Sequence, residues 1–87
     1  MTQLQEQFQK VDKTMRYLSV CTDFSKYYDI EEEAKKELSA LINMDFYPLT
    51  KDQLFKLINW VSRFRTHRPF AFLVVVSTIA ENHGLTI

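Results

Sequence analysis

Residues that build tight turns are scarce in this 87-residue chain, which has one glycine and two prolines. An all-β domain needs many tight turns, and such turns depend largely on Gly and Pro. Their scarcity therefore predicts helices joined by short links. The chain also has a single cysteine, Cys21, which excludes an internal disulfide and any zinc site that needs a pair of cysteines. Because Cys21 has no Cys-x-x-Cys partner, we expect a small buried hydrophobic residue there.

Long hydrophobic runs and an excess of charge of either sign are also missing. The longest apolar run, residues 70–76, has seven residues, whereas a helix needs about 20 to span a bilayer. The polar N-terminal sequence lacks the features of a secretory signal, so we expect a cytoplasmic protein without a membrane segment. Eleven basic residues balance eleven acidic ones, which disfavours a general nucleic-acid binder. Residues 23–33 are acidic and residues 51–68 are basic, so we expect an electric dipole.

What the chain does contain is apolar and aromatic material, 46% and 14% of its residues respectively. This composition is sufficient for a core and argues against disorder. We therefore predict one all-α domain over residues 1–87, a compact bundle of about four helices. The predicted helices cover approximately residues 2–21, 29–44, 51–66 and 69–83.

The first predicted helix carries a narrow apolar seam, with spacings of four and three residues. The seam consists of Leu4, Phe8, Val11, Met15 and Leu18. This rhythm is typical of a coiled-coil stripe, so Leu4, Phe8, Val11 and Met15 form a possible homodimer seam. Near the helix end Tyr17, Val20 and Phe24 form a second stripe on the opposite side. Two stripes predict that this end is covered by neighbours on both sides.

The second helix is predicted to begin at Asp29, because Asp29 and Glu32 have the spacing of a capping box. A longer helix from Thr22 also fits the apolar period. Glu31 and Lys35 form one of two i, i+4 pairs of opposite charge. Such pairs predict a solvated, charge-paired face rather than an acid–base or metal site.

The third and fourth helices have clearer boundaries. Thr50 and Gln53 have capping-box spacing, and Leu49 with Leu54 has the spacing of a hydrophobic staple. Residues 70–76 alone suit a strand equally well, but a lone strand leaves backbone groups unsatisfied. We therefore predict a helix after Pro69, apolar on nearly every side and central in the bundle. Its end would be marked by Gly84, with Leu85 folding back on Ile79.

Residues capable of chemistry do not assemble into a recognisable pattern. The two histidines, His67 and His83, have no metal ligand at suitable spacing. A chain with one glycine also lacks a loop that cradles phosphate. We therefore predict no catalytic residues, no metal, no cofactor and no enzymatic activity.

Two sets of residues are candidate binding surfaces. Arg63, Arg65, His67 and Arg68 surround an aromatic residue and suit a phosphate or an acidic partner. Arginines also gather at helix C-termini simply because the helix dipole favours them there.

The second set is the apolar surface widened by Phe55 and Trp60 on the third helix. It suits either core packing or a protein partner.

The leading hypothesis is a small regulatory or inhibitory protein that acts through protein–protein contacts, with an unidentified partner or as a homodimer. Phe55, Trp60, Arg63, Arg65 and Arg68 are its candidate partner-binding residues. The alternative is a nucleic-acid-binding helical protein that uses the basic residues 63–68, with Lys51 and Lys56 nearby. An enzyme whose active site has no sequence pattern comes third.

Overall fold

A computed structural model describes residues 2–46 and 48–83, which form four α-helices and no strand. The helices are α1 (Gln3–Val20), α2 (Phe24–Ile42), α3 (Lys51–Arg63) and α4 (Phe70–Asn82). The predicted all-α class and the number of helices are confirmed. The chain divides into two compact units, Met1–Tyr47 with α1 and α2, and Pro48–Ile87 with α3 and α4. The single domain expected over residues 1–87 stays a prediction.

Both helices of the first unit begin at a side chain that caps the helix. The hydroxyl of Thr2 accepts a hydrogen bond from the Gln5 N–H at 3.2 Å. The carboxylate of Asp23 accepts from both the backbone N–H and the hydroxyl of Ser25, at 3.0 and 2.8 Å. Helix α2 therefore begins at Phe24, and the predicted start at Asp29 is wrong. The cap at Asp23 lets the helix start five residues earlier, close to the longer alternative considered from the sequence.

The first unit is a helical hairpin in which a link of three residues, 21–23, joins α1 to α2. Polar contacts between the helices join Gln7 and Thr14 to the same residue. The Gln7 side-chain amide donates to the carbonyl of Glu37 at 2.8 Å, and the Thr14 hydroxyl donates to the Glu37 carboxylate. The side chain of a helical residue leans toward the helix N-terminus, so one glutamate serves partners two turns apart.

The apolar seam predicted on the first helix is part of the core. Its members Leu4, Phe8, Val11, Met15 and Leu18 are all buried. On α2, the buried apolar residues are Ala34, Leu38 and Leu41. The seam is therefore covered within one chain, and little of it is accessible to a second copy. The 3–4 spacing is equally typical of a helical hairpin within one chain. The sequence therefore did not distinguish a homodimer seam from packing against a helix of the same chain.

The second unit begins with the predicted capping box. The Thr50 hydroxyl accepts from the Gln53 N–H at 3.2 Å, and the Gln53 side-chain oxygen accepts from the Thr50 N–H at 3.0 Å. Leu49, before the cap, is buried as expected of a staple residue. Helix α3 ends at Arg63, three residues before the predicted end, because Phe64 has an extended backbone.

Helix α4 shows that the β-branched run of residues 70–76 is helical. Its buried residues are Phe72, Val76, Ile79 and Ala80. The ring of Phe72 lies 6.1 Å from that of Phe64, which follows α3. These residues share one side of α4, whereas Phe70, Leu73 and Val74 are exposed. The expected burial on nearly every side is therefore not observed. Gly84 and Leu85, predicted to close this helix, lie outside the described residues.

Candidate interaction surfaces

An exposed apolar surface lies at the start of α4. Phe70, Leu73 and Val74 are 78%, 43% and 46% exposed, respectively. Their spacing of three and four residues places them on one side of the helix, and we call them the α4 face. One and two turns further on, the same side carries Ser77 and Glu81, which are polar and exposed. The sequence did not reveal this face, because an all-round apolar helix gives no sign of which side is left uncovered.

The basic segment that precedes α4 divides into residues with different roles. Arg68 Nη2 donates to the carbonyls of Ser62 and Phe64 at 3.1 and 3.0 Å, and its Nε donates to Phe64 at 3.3 Å. These contacts satisfy carbonyl groups that the end of α3 leaves without helical partners. Arg63 and Arg65 are exposed, and we call this pair the basic link. The sequence predicted one cluster, whereas in the structure Arg68 binds backbone carbonyls and the side chains of Arg63 and Arg65 are exposed.

The two aromatic residues predicted to widen the surface of α3 are mostly covered. Trp60 is only 5% exposed and belongs to the core. Phe55 is half-buried, with Lys51 Nζ 5.5 Å from its ring centroid and the His83 ring 5.8 Å away in an edge-on arrangement. A partner therefore finds little of Trp60 to contact, and the exposed aromatic of this unit is Phe70 instead. Trp60 is as apolar as an interface residue, so composition alone did not exclude its place in the core.

Four further large apolar side chains are exposed near the closed end of the α1–α2 hairpin. Tyr17, Val20, Phe24 and Tyr28 are 61%, 75%, 70% and 48% exposed, and we call them the hairpin tip. All four lie within two turns of the link between the helices, about 6 Å along each axis. The prediction that neighbours cover this end on both sides is therefore wrong, because the 3.6-residue period identifies apolar residues without saying what covers them.

The two units carry opposite net charges of equal size. Residues 1–47 contain six basic and nine acidic residues, a net charge of −3, and residues 48–87 contain five basic and two acidic residues, a net charge of +3. Near the hairpin tip the exposed carboxylates are those of Asp23, Asp29, Glu32 and Glu33. The change of charge along the sequence therefore coincides with the boundary between the units, and the electric dipole stays a prediction. The hairpin tip therefore lies in the unit of net charge −3, and the α4 face lies in the unit of net charge +3.

The acidic cluster of α2 is not a uniformly solvated face. Glu31 is fully buried and Lys35 is nearly so. Lys35 Nζ lies 3.8 Å from Glu31 Oε1 and 3.5 Å from Glu32 Oε1. The i, i+4 pairing of Glu31 with Lys35 is confirmed, but its predicted exposure to solvent is wrong. A buried ion pair is costly to desolvate and gives weak support to stability, although it makes the loss of either charge expensive.

No group of three or more potential metal ligands occurs among residues 2–46 and 48–83. Within the same residues, no helix is both long and apolar enough to cross a membrane. Cys21 is half-buried rather than fully buried, and its thiol donates a hydrogen bond to the Asp23 carbonyl at 3.4 Å.

No protein-family model, curated protein or solved structure shows significant similarity to this chain.

Proposed function

We propose that this chain is a small regulatory or inhibitory protein that acts through protein–protein contacts and has no catalytic activity of its own. The observation that carries the proposal is the α4 face, which the basic link precedes in the chain. Three large apolar side chains are exposed on one side of a folded helix, and two exposed arginines precede that helix in the chain. Exposed apolar surface with a polar rim is typical of a binding site.

The size of the α4 face sets the kind of complex it supports. Burying one large apolar side chain completely stabilises by about 1.5–3 kcal/mol. Scaled by the exposed fractions of Phe70, Leu73 and Val74, the face supplies about 4 kcal/mol before any cost of association. That cost alone is about 4–15 kcal/mol. The face therefore anchors a partner only together with further contacts, which suits a reversible, regulatory complex.

The basic link specifies the charge of that partner. Arg63 and Arg65 are exposed cations of the unit with net charge +3. Arginine pairs with carboxylates through two parallel hydrogen bonds, and charges at an interface rim accelerate association and reject partners of like charge. The expected partner presents an apolar surface with acidic residues around it. Phe70 enters the apolar part, and the arginines contact the acidic rim.

The proposal is tested by affinity capture from native cells with the wild-type chain and three variants. Phe70→Asp places a charge in the α4 face, and the double variant Arg63→Glu/Arg65→Glu reverses the basic link. Asn82→Asp is the matched control, because it adds the same charge to an exposed position of the same helix that lies three turns from Phe70 and on a different side. Circular dichroism checks that all three variants keep the wild-type helix content.

We expect a protein that the wild-type chain and Asn82→Asp retain and that both other variants lose. Equal retention by Phe70→Asp, or no protein retained above the background of an empty resin, would contradict the proposal. The same variants separate it from nucleic-acid binding, which requires the cations and not the α4 face. A mobility shift at low salt that survives Phe70→Asp and disappears with the reversed link would favour nucleic acid.

A further inference from the structure

We propose that the partner of the α4 face is a second copy of this chain, whose hairpin tip packs on the α4 face. This inference rests on the proposed function and names the partner of the same surface. The α4 face requires an apolar surface with an acidic rim. The hairpin tip is apolar, exposed and accompanied by acidic residues, and it belongs to the same sequence.

Charge complementarity favours contact between these two different surfaces over contact of either surface with itself. The tip lies in the unit of net charge −3, with Asp29 and Glu33 exposed one or two turns into α2. The α4 face lies in the unit of net charge +3, with Arg63 and Arg65 exposed. Two tips facing each other bring like charges together, as do two α4 faces. Tip against α4 face brings carboxylates to guanidinium groups.

The exposed areas indicate how many such contacts a stable dimer needs. Large apolar side chains offer about 150–250 Å² each when aromatic and somewhat less when aliphatic. Scaled by exposed fraction, the seven side chains of the tip and the α4 face together offer about 700 Å². Stable specific interfaces bury about 1,200–2,000 Å². One contact is therefore too small, whereas two reach about 1,400 Å² and fall within this range.

A two-fold axis supplies the second contact without any new surface. In a two-fold dimer, each contact from the first copy to the second is repeated from the second to the first. The tip of each copy then packs on the α4 face of the other, and all seven exposed side chains of each chain are covered. The proposed dimer uses surfaces that are exposed in one chain, unlike the buried seam of α1.

The test is a charge swap monitored by sedimentation velocity on the full chain. One variant, Arg63→Glu/Arg65→Glu, makes the α4 face acidic. The other, Asp29→Lys/Glu33→Lys, makes the tip basic. All four positions are exposed, so we expect both variants to fold, and circular dichroism verifies this. Asp23 is left unchanged because it caps α2.

Each variant alone pairs surfaces of like charge and loses both contacts of the dimer. We expect its dissociation constant to rise roughly 30-fold or more, from four ion pairs lost at about 0.5 kcal/mol each. In an equimolar mixture, the acidic tip of the first variant meets the basic α4 face of the second, and the basic tip meets the acidic face. Both contacts reform, so only the mixture associates as the wild-type chain does.

Three results would overturn the inference: a wild-type chain that stays monomeric up to millimolar concentration, variants that dimerise as the wild type does, or a folded mixture that stays monomeric. The second result would show that any dimer uses another surface, and the third would show that the two pairs of charges do not contact each other. These results leave the proposed function open to its own test. A monomeric chain that still captures a protein through Phe70 would refute the second copy as partner and retain the α4 face as a binding surface.

Discussion

Removing one charge of the buried pair Glu31–Lys35 in α2 has an outcome that depends on tertiary structure, because packing and not spacing buries the pair. Glu31 is completely buried, and Lys35 is 8% exposed with its Nζ 3.8 Å from Glu31 Oε1. Lys35→Met keeps an unbranched apolar side chain of similar length and removes only the ammonium group. Glu31→Leu removes the carboxylate in the same way. The double variant replaces the pair by two apolar residues of similar volume.

The expected magnitudes follow from burial. Breaking a buried pair on one side costs about 3–5 kcal/mol because a charge is left in the interior. We expect Lys35→Met to cost about 3 kcal/mol, at the low end of this range because the contact with Glu31 is long. Glu31→Leu should cost less, about 1–2 kcal/mol, since Lys35 keeps its contact with Glu32. The double variant should lie within about 1 kcal/mol of the wild type.

Urea unfolding followed by far-ultraviolet circular dichroism measures these free energies of unfolding. A chain of this size has about 4–13 kcal/mol of stability in all, so a loss of 3 kcal/mol is readily resolved. Glu32→Gln is the matched control: its carboxylate also contacts Lys35 but is exposed, and its loss should cost at most about 0.5 kcal/mol. The reasoning is refuted if the costs of the two single variants simply add in the double variant.

Three further outcomes follow from burial and capping. Leu41→Ala should lower the free energy of unfolding by about 2–5 kcal/mol because Leu41 is fully buried. Leu73→Ala, on the exposed α4 face, should lower it by less than about 1 kcal/mol, and equal losses would contradict the assigned burial. Thr50→Ala should cost about 1 kcal/mol. The double variant Thr50→Ala/Gln53→Ala should cost less than the two single variants added together, because the two hydrogen bonds form one capping box. Strictly additive costs in a thermal unfolding series would argue against the box. For Asp23, hydrogen bonds first from the Ser25 hydroxyl and then from backbone N–H groups lower the pKa below its usual 3.8. Its stabilisation is therefore fully present above pH 3.8 and lost as the pH falls through the lower, folded-state value. The stability difference between wild type and Asp23→Ala should be constant near neutral pH and shrink in acid, and a difference that grows in acid would show the opposite sign.

Helix boundaries illustrate what local sequence does and does not decide. The box at Thr50 and Gln53 was predicted from spacing alone, since both partners lie within one turn and need no other element. The start of α2 was not, because Asp23 and Asp29 both suit a cap by residue type. The selection of Asp23 depends on the three-residue link after α1, which ends at Val20 and leaves Asp23 extended. Two acceptable local signals compete, and the chain uses the earlier one.

The amino-acid sequence by itself determined the helical class, the number of helices and the apolar stripes of α1 and α3. These depend on backbone hydrogen bonds, caps and a 3.6-residue period, all of which act within a few residues. Only the tertiary structure decided which apolar residues are covered. Trp60 and the α1 seam are buried, whereas Phe70 and Phe24 are exposed, although all are apolar residues.

The same division holds for charge. The i, i+4 spacing predicted the pair of Glu31 and Lys35, but only the structure shows that both residues are buried. The sequence shows several arginines at and after the end of α3. Only the structure shows that Arg68 donates hydrogen bonds to backbone carbonyls at this helix end, whereas Arg63 and Arg65 are exposed. Burial requires a neighbour that is distant in sequence, and no local pattern specifies where that neighbour lies. The candidate surfaces of this protein therefore emerged from accessibility, not from sequence motifs.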